Sequence, residues 1–263
     1  MALSAEAVER AARLLLAARG DHRRVDGFSA DCRPDSIADG YAVQDAVIDA
    51  LAVDTAGYKI ACTSEEACRI LGADGPFLGR LVASTVIDSP ATIPASAFHM
   101  RGLEAEFAFR FATGSSPDAA PVSASGIEAS VASVHPAIEI VDSRFAEWTA
   151  VGAPSLAADN AAGGALVLGP ALTSWRPSDL NVVAVSMTLN GAIQKTGSGR
   201  DVMGHPLEAL AWAVNHLAAR GRAVAAGEVV TTGTCTGIVF AGPGDIGEAD
   251  FGPLGRVTVA FSD

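Results

Sequence analysis

The segment LEAEFAFRF alternates strictly, with Leu103, Ala105, Phe107 and Phe109 on one face of an extended strand and Glu104, Glu106 and Ala108 on the other. Two carboxylates therefore project from one side, about 7 Å apart along the strand. A solvated outer face accounts for such a pair equally well, although Ala108 on the same face argues for partial enclosure. In PAIEIVD, Glu139 lies between Ile138 and Ile140 on one face and shares its own with Ala137 and Val141, so both faces read as buried. A lone carboxylate there carries a large desolvation penalty unless it is paired, hydrogen-bonded or bound to a cation. Arg144 is the simplest neutralising partner.

Three carboxylates without a His or Cys at matching spacing make an all-oxygen donor set, which suits Mg²⁺ or Mn²⁺ and disfavours structural zinc. Two acids on one strand and one on another leave part of the coordination sphere for water and substrate, as Lewis-acid catalysis requires. Lys59, in GYKIACT, points away from Tyr58 and Ile60. Its ammonium either snorkels to solvent or, beside the acids, offsets their charge and moves a proton. In VVTTGTCTG, the residues Thr232, Gly233 and Thr234 offer hydroxyl and N–H donors for a substrate carboxylate, or else form an ordinary strand end. Gly197, Ser198 and Gly199 read as loop chemistry, and His135 and His205, each before a proline, as turn residues.

The elements that must position these groups follow from capping and periodicity. Ser4 opens a helix running to about Arg19, and Pro34, Asp35 and Ser36 open a second. GYKIACT reads as a strand, followed by a short helix from Ser64 to Gly72. From about residue 80 the texture turns to strand-like runs: LVASTVI, LEAEFAFRF, PAIEIVD, GALVLG, VVAVSMTLNG, GEVVTTGT and GRVTVAFSD. Helices are predicted within that region over PLEALAWAVNHLAARG and over residues 125–133. The fold class is thus α+β, with an N-terminal helical part over residues 1–80 and a β-rich catalytic lobe over 81–263 in one body.

The 263 residues carry a net charge of −12 and no basic cluster, which argues against nucleic acid and anionic membranes as partners. The four cysteines include no C-x-x-C pair and read as reduced thiols. Glu6 and Glu9, with Arg10, Arg13 and Arg19, break any export-signal core at the start, so the expected compartment is the cytoplasm.

Taken in order, GYKIACTS, GPFLGRL, EAEFAF, HPAIEIVDSRF, ADNAA, GHPLEALAW and GEVVTTGTCTG resemble the 2-keto-4-pentenoate hydratase and oxalocrotonate decarboxylase branch of the fumarylacetoacetate hydrolase superfamily. The resemblance spans roughly residues 40 to 260. It implies a highly curved, incompletely closed β-barrel and a divalent cation held by Glu104, Glu106 and Glu139. It also implies Lys59 as the active-site lysine and Asp159 and Asn160 among the substrate-binding residues. Homo-oligomers are implied too, with association with a related pathway enzyme. The implied reaction hydrates a 2-hydroxypenta-2,4-dienoate-type acid to a 4-hydroxy-2-oxo acid through a dienolate whose charge the cation stabilises.

Two departures from that pattern bear on the reaction. Hydratases of the branch carry Pro-Asp-Phe-Gly where this chain has Pro76, Phe77, Leu78 and Gly79, and the family's serine after Asn-Ala is Ala162. Asp74 replaces the missing acid only if its loop is rebuilt. These losses weaken water activation and leave enolate stabilisation intact. Decarboxylation of an oxalocrotonate-type 2-oxo diacid is therefore the alternative, with a catalytically silent partner subunit and hydrolytic carbon–carbon cleavage behind it.

Overall fold

In the computed structural model, which describes residues 2–263, the chain opens with two amphipathic helices, α1 (Ala5–Gly20) and α2 (Ile37–Leu51). Ser4 and Ser36 cap them, each side-chain oxygen accepting a backbone N–H from three residues on. Strand β1 (Thr55–Ala61) follows, then α3 (Glu65–Leu71) and β2 (Phe77–Val82). Helix α3 is capped by Ser64 and stopped by Gly72 in the left-handed conformation.

The run LVASTVI is not one strand: β2 ends at Val82, a single 3-10 turn intervenes, and β3 spans Val86–Asp88. After β4 (Ala91–Pro94) comes the long strand β5 (Gly102–Phe111). The helix predicted over residues 125–133 is much shorter. Only α4 (Ala124–Ile127) and one 3-10 turn form before β6 (Val131–Val141) begins, because Val131, Ser133 and Val134 are drawn into pairing with β5 and its surroundings. Helix α5 (Ala153–Ala158), β7 (Gly163–Leu168), α6 (Pro177–Leu180) and β8 (Ala184–Leu189) come next. The exposed hairpin strand β9 (Ala192–Ser198) leads to α7 (Pro206–Ala219), and β10 (Val229–Thr234), β11 (Val239–Phe240), β12 (Ile246–Asp250) and β13 (Arg256–Ser262) complete the chain.

Two sheets result. The larger has the order β2-β1-β10-β5-β6-β7-β3, with β11 also paired to β5; the smaller runs β4-β13-β12-β8-β9. Pairing is mixed: β1 runs parallel to β10 and β3 to β7, while β5 is antiparallel to both β10 and β6. Strands β2 and β7 come into contact although four strands separate them in the sheet order, so the larger sheet curls into a half-barrel. The architecture is α+β. Strands β1 and β2 enter the curled sheet, so within the first 80 residues the helices α1 and α2 alone form a separate packing group, with α5 against them.

The two faces of the curled sheet differ in chemistry. Its convex side carries Leu103, Phe107 and Phe109 of β5 into the main core, where Phe107 meets Phe251 edge-on at 5.2 Å and Val257, Val259 and Phe261 of β13 join from the smaller sheet. Each fully buried side chain of this size contributes about 1.5–3 kcal/mol through removal from water. The concave side is apolar at one end, where Leu81, Ala108, Ala137, Leu166, Leu168 and Val229 cluster. Two residues from Ala108 and Ala137 along the same faces of β5 and β6 stand Glu106 and Glu139.

Helix α2 fixes the open edge. Gln44 Nε2 donates to the carbonyls of Leu78 and Ala157, at 2.9 and 2.8 Å, and the Tyr41 hydroxyl accepts from Leu78 N at 2.8 Å. Gly40 permits this approach, since a Cβ there would overlap the Pro154 carbonyl of α5.

Candidate active site

The β5–β6 register brings the acids together. Glu104 is directly opposite Glu139, and Glu106 follows two residues along β5 on the same face. Each of the three offers a carboxylate oxygen within 4.8 Å of the others. Glu106 and Glu139 are buried, and Glu104 is half-buried at the edge of the group. Glu106 Oε2 accepts a hydrogen bond from Gly233 N at 3.0 Å, while Glu106 Oε1 and Glu139 Oε2 are buried without any hydrogen-bond partner.

Lys59 reaches the same group from β1. Its Nζ is 2.9 Å from Glu139 Oε1 and donates to the Ala161 carbonyl at 2.8 Å, and the residue is 3% exposed. The alternative of a snorkelling lysine is thus excluded. Glu139 is neutralised in part by Lys59, not by Arg144, which is committed elsewhere. Three carboxylates and one ammonium leave a formal excess of two negative charges.

The titration of the group follows from that excess. Burial pulls the Lys59 ammonium down, but Glu139, Glu106 and Glu104 together outweigh it and set the value above that of an ordinary lysine. Burial and the nearby Glu139, partly offset by Lys59, push Glu104 up to about 7. Burial, then Glu139 and Glu104, raise Glu106 well above the usual carboxylate range. Buried carboxylates this crowded, with two orphaned oxygens aimed inward, are what a hard divalent cation would satisfy. Glu104, Glu106 and Glu139 could hold Mg²⁺ or Mn²⁺ on those grounds.

Two cavities meet at Lys59. One, of about 60 Å³, is bordered by Lys59, Thr63, Phe77, Glu104, Ala162 and Thr234. The other, of about 270 Å³, is bordered by Lys59, Glu139, Arg19, Arg80 and Asn160 among others.

The remaining predicted residues divide. Thr234 and Gly233 border the smaller cavity. Gly233 needs its glycine: φ is +85°, and a Cβ would overlap the Thr63 side chain. Thr232 turns away, its hydroxyl donating to the Phe107 carbonyl at 3.2 Å, because alternation along β10 puts it on the face opposite Gly233.

Asp159 is not a substrate ligand in this geometry. Fully buried, it accepts from Ser143 Oγ at 2.8 Å, Arg144 N at 2.8 Å and Arg144 Nε at 2.6 Å, with Arg19 Nη2 at 3.5 Å. Both its oxygens are occupied, so it is an ionic anchor for the segment after β6. The Asn160 amide is likewise engaged with backbone, accepting from Arg80 N at 2.6 Å and donating to Arg80 O at 2.8 Å.

His205 caps α7 through Nδ1, which accepts from Leu207 N. His135 is not in a turn; it lies within β6, bonded to Ser133 Oγ and Gly169 O. Sequence reasoning passed over Thr63 and the Ala161 carbonyl. Thr63 was within reach as the residue after a site strand, but a backbone carbonyl in an alanine pair leaves no side-chain signal.

Comparison with known proteins adds the context. Residues 73–261 match the model of the fumarylacetoacetate (FAA) hydrolase C-terminal family. The chain is 32% identical over 235 residues to a 2-keto-4-pentenoate hydratase of Paraburkholderia xenovorans (strain LB400), covering 88% of this chain and 86% of that one. It is 30% identical over 206 residues to a 4-oxalocrotonate decarboxylase of Pseudomonas putida, covering 78% and 76%. The solved structure of a 4-oxalocrotonate decarboxylase from Pseudomonas putida G7, complexed with magnesium and adipate, matches with a TM-score of 0.90 at 27% identity over 98% of both chains.

Proposed function

The chain belongs to the fumarylacetoacetate hydrolase family, and from that premise we propose that it is a divalent-cation-dependent lyase that hydrates a 2-hydroxydienoic acid to a 4-hydroxy-2-oxo acid. The observation that carries the proposal is the convergence of Glu104, Glu106 and Glu139, two of them with orphaned oxygens, beside the buried Lys59 ammonium. The 2-keto-4-pentenoate hydratase relative supports the substrate class.

When bound, a divalent cation supplies Lewis-acid polarisation and compensates negative charge on adjacent carboxylate and 2-oxo oxygens. Glu104, Glu106 and Glu139 would hold it, and Gly233 N orients the Glu106 carboxylate by donating to its Oε2. Lys59, anchored by the Ala161 carbonyl, keeps a proton beside the charge that develops on the substrate. Thr63 borders the cavity and offers a hydroxyl to the substrate carboxylate, while the Thr234 hydroxyl, donating to the Gly237 carbonyl at 3.3 Å and accepting from Gly237 N at 2.9 Å, shapes the cavity wall.

A second reading, decarboxylation of a 2-oxo diacid, rests on a specific observation. Phe77 and Ala162 border the cavity next to Lys59 and Glu104, so apolar groups stand where the hydratase pattern has an acid and a serine. Such a wall suits a reaction that releases carbon dioxide into a dry space and does not direct an attacking water. Mass spectrometry of the products with Mg²⁺ separates the two: gain of water supports hydration, loss of carbon dioxide the second reading. Absence of both across 2-hydroxydienoates and their diacid relatives overturns the proposal.

The finer placement is part of the same reading: a cytoplasmic homo-oligomer active in aromatic-compound breakdown. Four free cysteines suit a reducing compartment, and exposed Ile193, Phe240 and Ile246 suit a surface shared between copies.

A further inference from the structure

Between α5 and β7 the backbone does something that L-residues avoid. Asn160, Ala161 and Ala162 have φ values of 57°, 53° and 55°, three consecutive left-handed residues without a glycine among them. A single non-glycine residue in that region is uncommon, and a run of three persists only where its surroundings over-determine it. All three are buried.

The surroundings are visible. The Asn160 side chain closes a two-point clasp on the backbone of Arg80 in β2, accepting from its N–H at 2.6 Å and donating to its carbonyl at 2.8 Å. Gly79, just before, lets the turn approach: a Cβ there would lie 2.5 Å from the Asn160 carbonyl oxygen and 3.0 Å from Lys59 Cδ. The product of the turn is the Ala161 carbonyl, which accepts from Lys59 Nζ at 2.8 Å. Strand β2 in turn pairs with β1, where Lys59 lies opposite Gly79.

We propose that Asn160 is a positioning residue for Lys59: its clasp on Arg80 holds the left-handed turn that aims the Ala161 carbonyl at the lysine ammonium. The assignment rests on the reading of Lys59 as the proton-holding group of the site. Without the clasp the turn relaxes toward ordinary backbone angles, the Ala161 carbonyl swings away, and Lys59 loses its only neutral anchor among the described residues. The ammonium is then free to move into the cavities it borders, where a small reagent reaches it. Asn160, its amide committed to the Arg80 backbone, thus acts on turnover through Lys59.

The chain has only two lysines, Lys59 and Lys195, and Lys195 is exposed on β9, so it serves as an internal reference for amine labelling. The test is competitive acetylation of full-length protein with acetic anhydride in Mg²⁺, read by mass spectrometry as the Lys59 to Lys195 ratio. Asn160→Gly keeps the left-handed region accessible and deletes both clasp bonds. It should raise the ratio severalfold and lower kcat by about 10²-fold with little change in KM, the scale of a misplacement near 1 Å. Ala161→Gly relieves the backbone with the clasp intact, and should raise Tm while leaving the ratio unchanged. A folded Asn160→Gly protein with wild-type labelling and kcat overturns the proposal, as does a drop in Tm with no movement of the ratio. If that variant fails to fold, Asn160→Asp, which keeps the acceptor half of the clasp and loses the donor, must raise the ratio or the proposal falls. Labelling needs no substrate, so an inactive wild-type enzyme would refute the proposed reaction and leave this measurement decisive on its own.

Discussion

Glu104 and Glu139 are direct partners across the β5–β6 ladder, two like charges held face to face with the Lys59 ammonium 2.9 Å from Glu139. A directly opposed pair of this kind destabilises a sheet unless something compensates it. The fold therefore stores repulsion in the metal-free state that a divalent cation at these acids would release.

This gives the first prediction a definite sign. Glu104 rises from 4.5 to about 7 in the folded chain, and Glu106 rises well above 4.5. Between those values the folded protein binds more protons than the unfolded one, so metal-free stability contributed by these groups falls as pH rises through the window. Lys59, also raised, contributes in the same sense, but only above the ordinary lysine range, outside the window. Cation binding displaces the protons, so the Tm increment given by Mg²⁺ should grow from about pH 5 to about pH 8. Paired thermal scans with and without Mg²⁺ check this; an increment that is flat or shrinks with pH contradicts the assignment.

Glu106→Gln removes one charge and keeps an oxygen for Gly233 N. Turnover should fall by more than about 10²-fold and Mg²⁺ affinity by a similar order, the scale expected when transition-state charge loses a preorganised partner. Metal-free Tm should hold or rise, because a buried repulsive carboxylate has gone. Calorimetric titration with Mg²⁺ alongside thermal unfolding reads both. Retained affinity with retained activity would remove Glu106 from the metal centre.

Much of this site was legible in the sequence, and the reason is periodicity. Strict alternation in LEAEFAFRF placed Glu104 and Glu106 on one face, and the apolar flanks of Glu139 marked it as buried and in need of a partner. Helix caps were readable at Ser4, Ser36 and Ser64 for the same local reasons, whereas His205, read as a turn residue, caps α7. What was not legible depends on contacts between distant segments. The partner of Glu139 is Lys59, 80 positions away, and no local pattern distinguishes it from Arg144, five positions away. Strands β9, β11 and β12 are short or exposed on both faces, so their pairing with β8, β5 and β13 supplies the order that their composition does not. The left-handed turn at Asn160 to Ala162 contradicts local propensity outright, and it is held by contacts with distant segments: the clasp on Arg80, Lys59 on the Ala161 carbonyl and Asp142 N on the Ala162 carbonyl.

Asp159→Asn tests the reassignment of that residue from substrate ligand to anchor. The change removes the carboxylate that Arg144 and Arg19 share and leaves Arg144 only Asp142, at 3.4 Å, so stability should drop by about 3–5 kcal/mol. Affinity for Mg²⁺ should stay near wild type, since Asp159 borders neither cavity at Lys59. Chemical denaturation and metal titration report the two quantities separately. A stable variant with a raised KM would restore the substrate-binding role.

Phe77 decides how water is handled. Its ring is 1% exposed at the start of β2, opposite Ala61, and borders the cavity that Lys59 and Glu104 share. An acid at this position would stand within the same cavity and could hold a water against a substrate double bond, which no apolar ring can do. Phe77→Asp should therefore raise the proportion of hydrated product from a 2-hydroxydienoate or its diacid relative. It should do so at a cost in stability of about 3–5 kcal/mol, the usual loss on emptying a buried aromatic site. Phe77→Leu supplies the control, keeping the cavity apolar and the product distribution unchanged. Product ratios by mass spectrometry, on variants shown to be folded by near-ultraviolet circular dichroism, make the comparison. If the aspartate variant folds and gives the wild-type ratio, the water-directing group lies elsewhere in the cavity, and the substitution at Phe77 carries no information about which lyase reaction the protein performs.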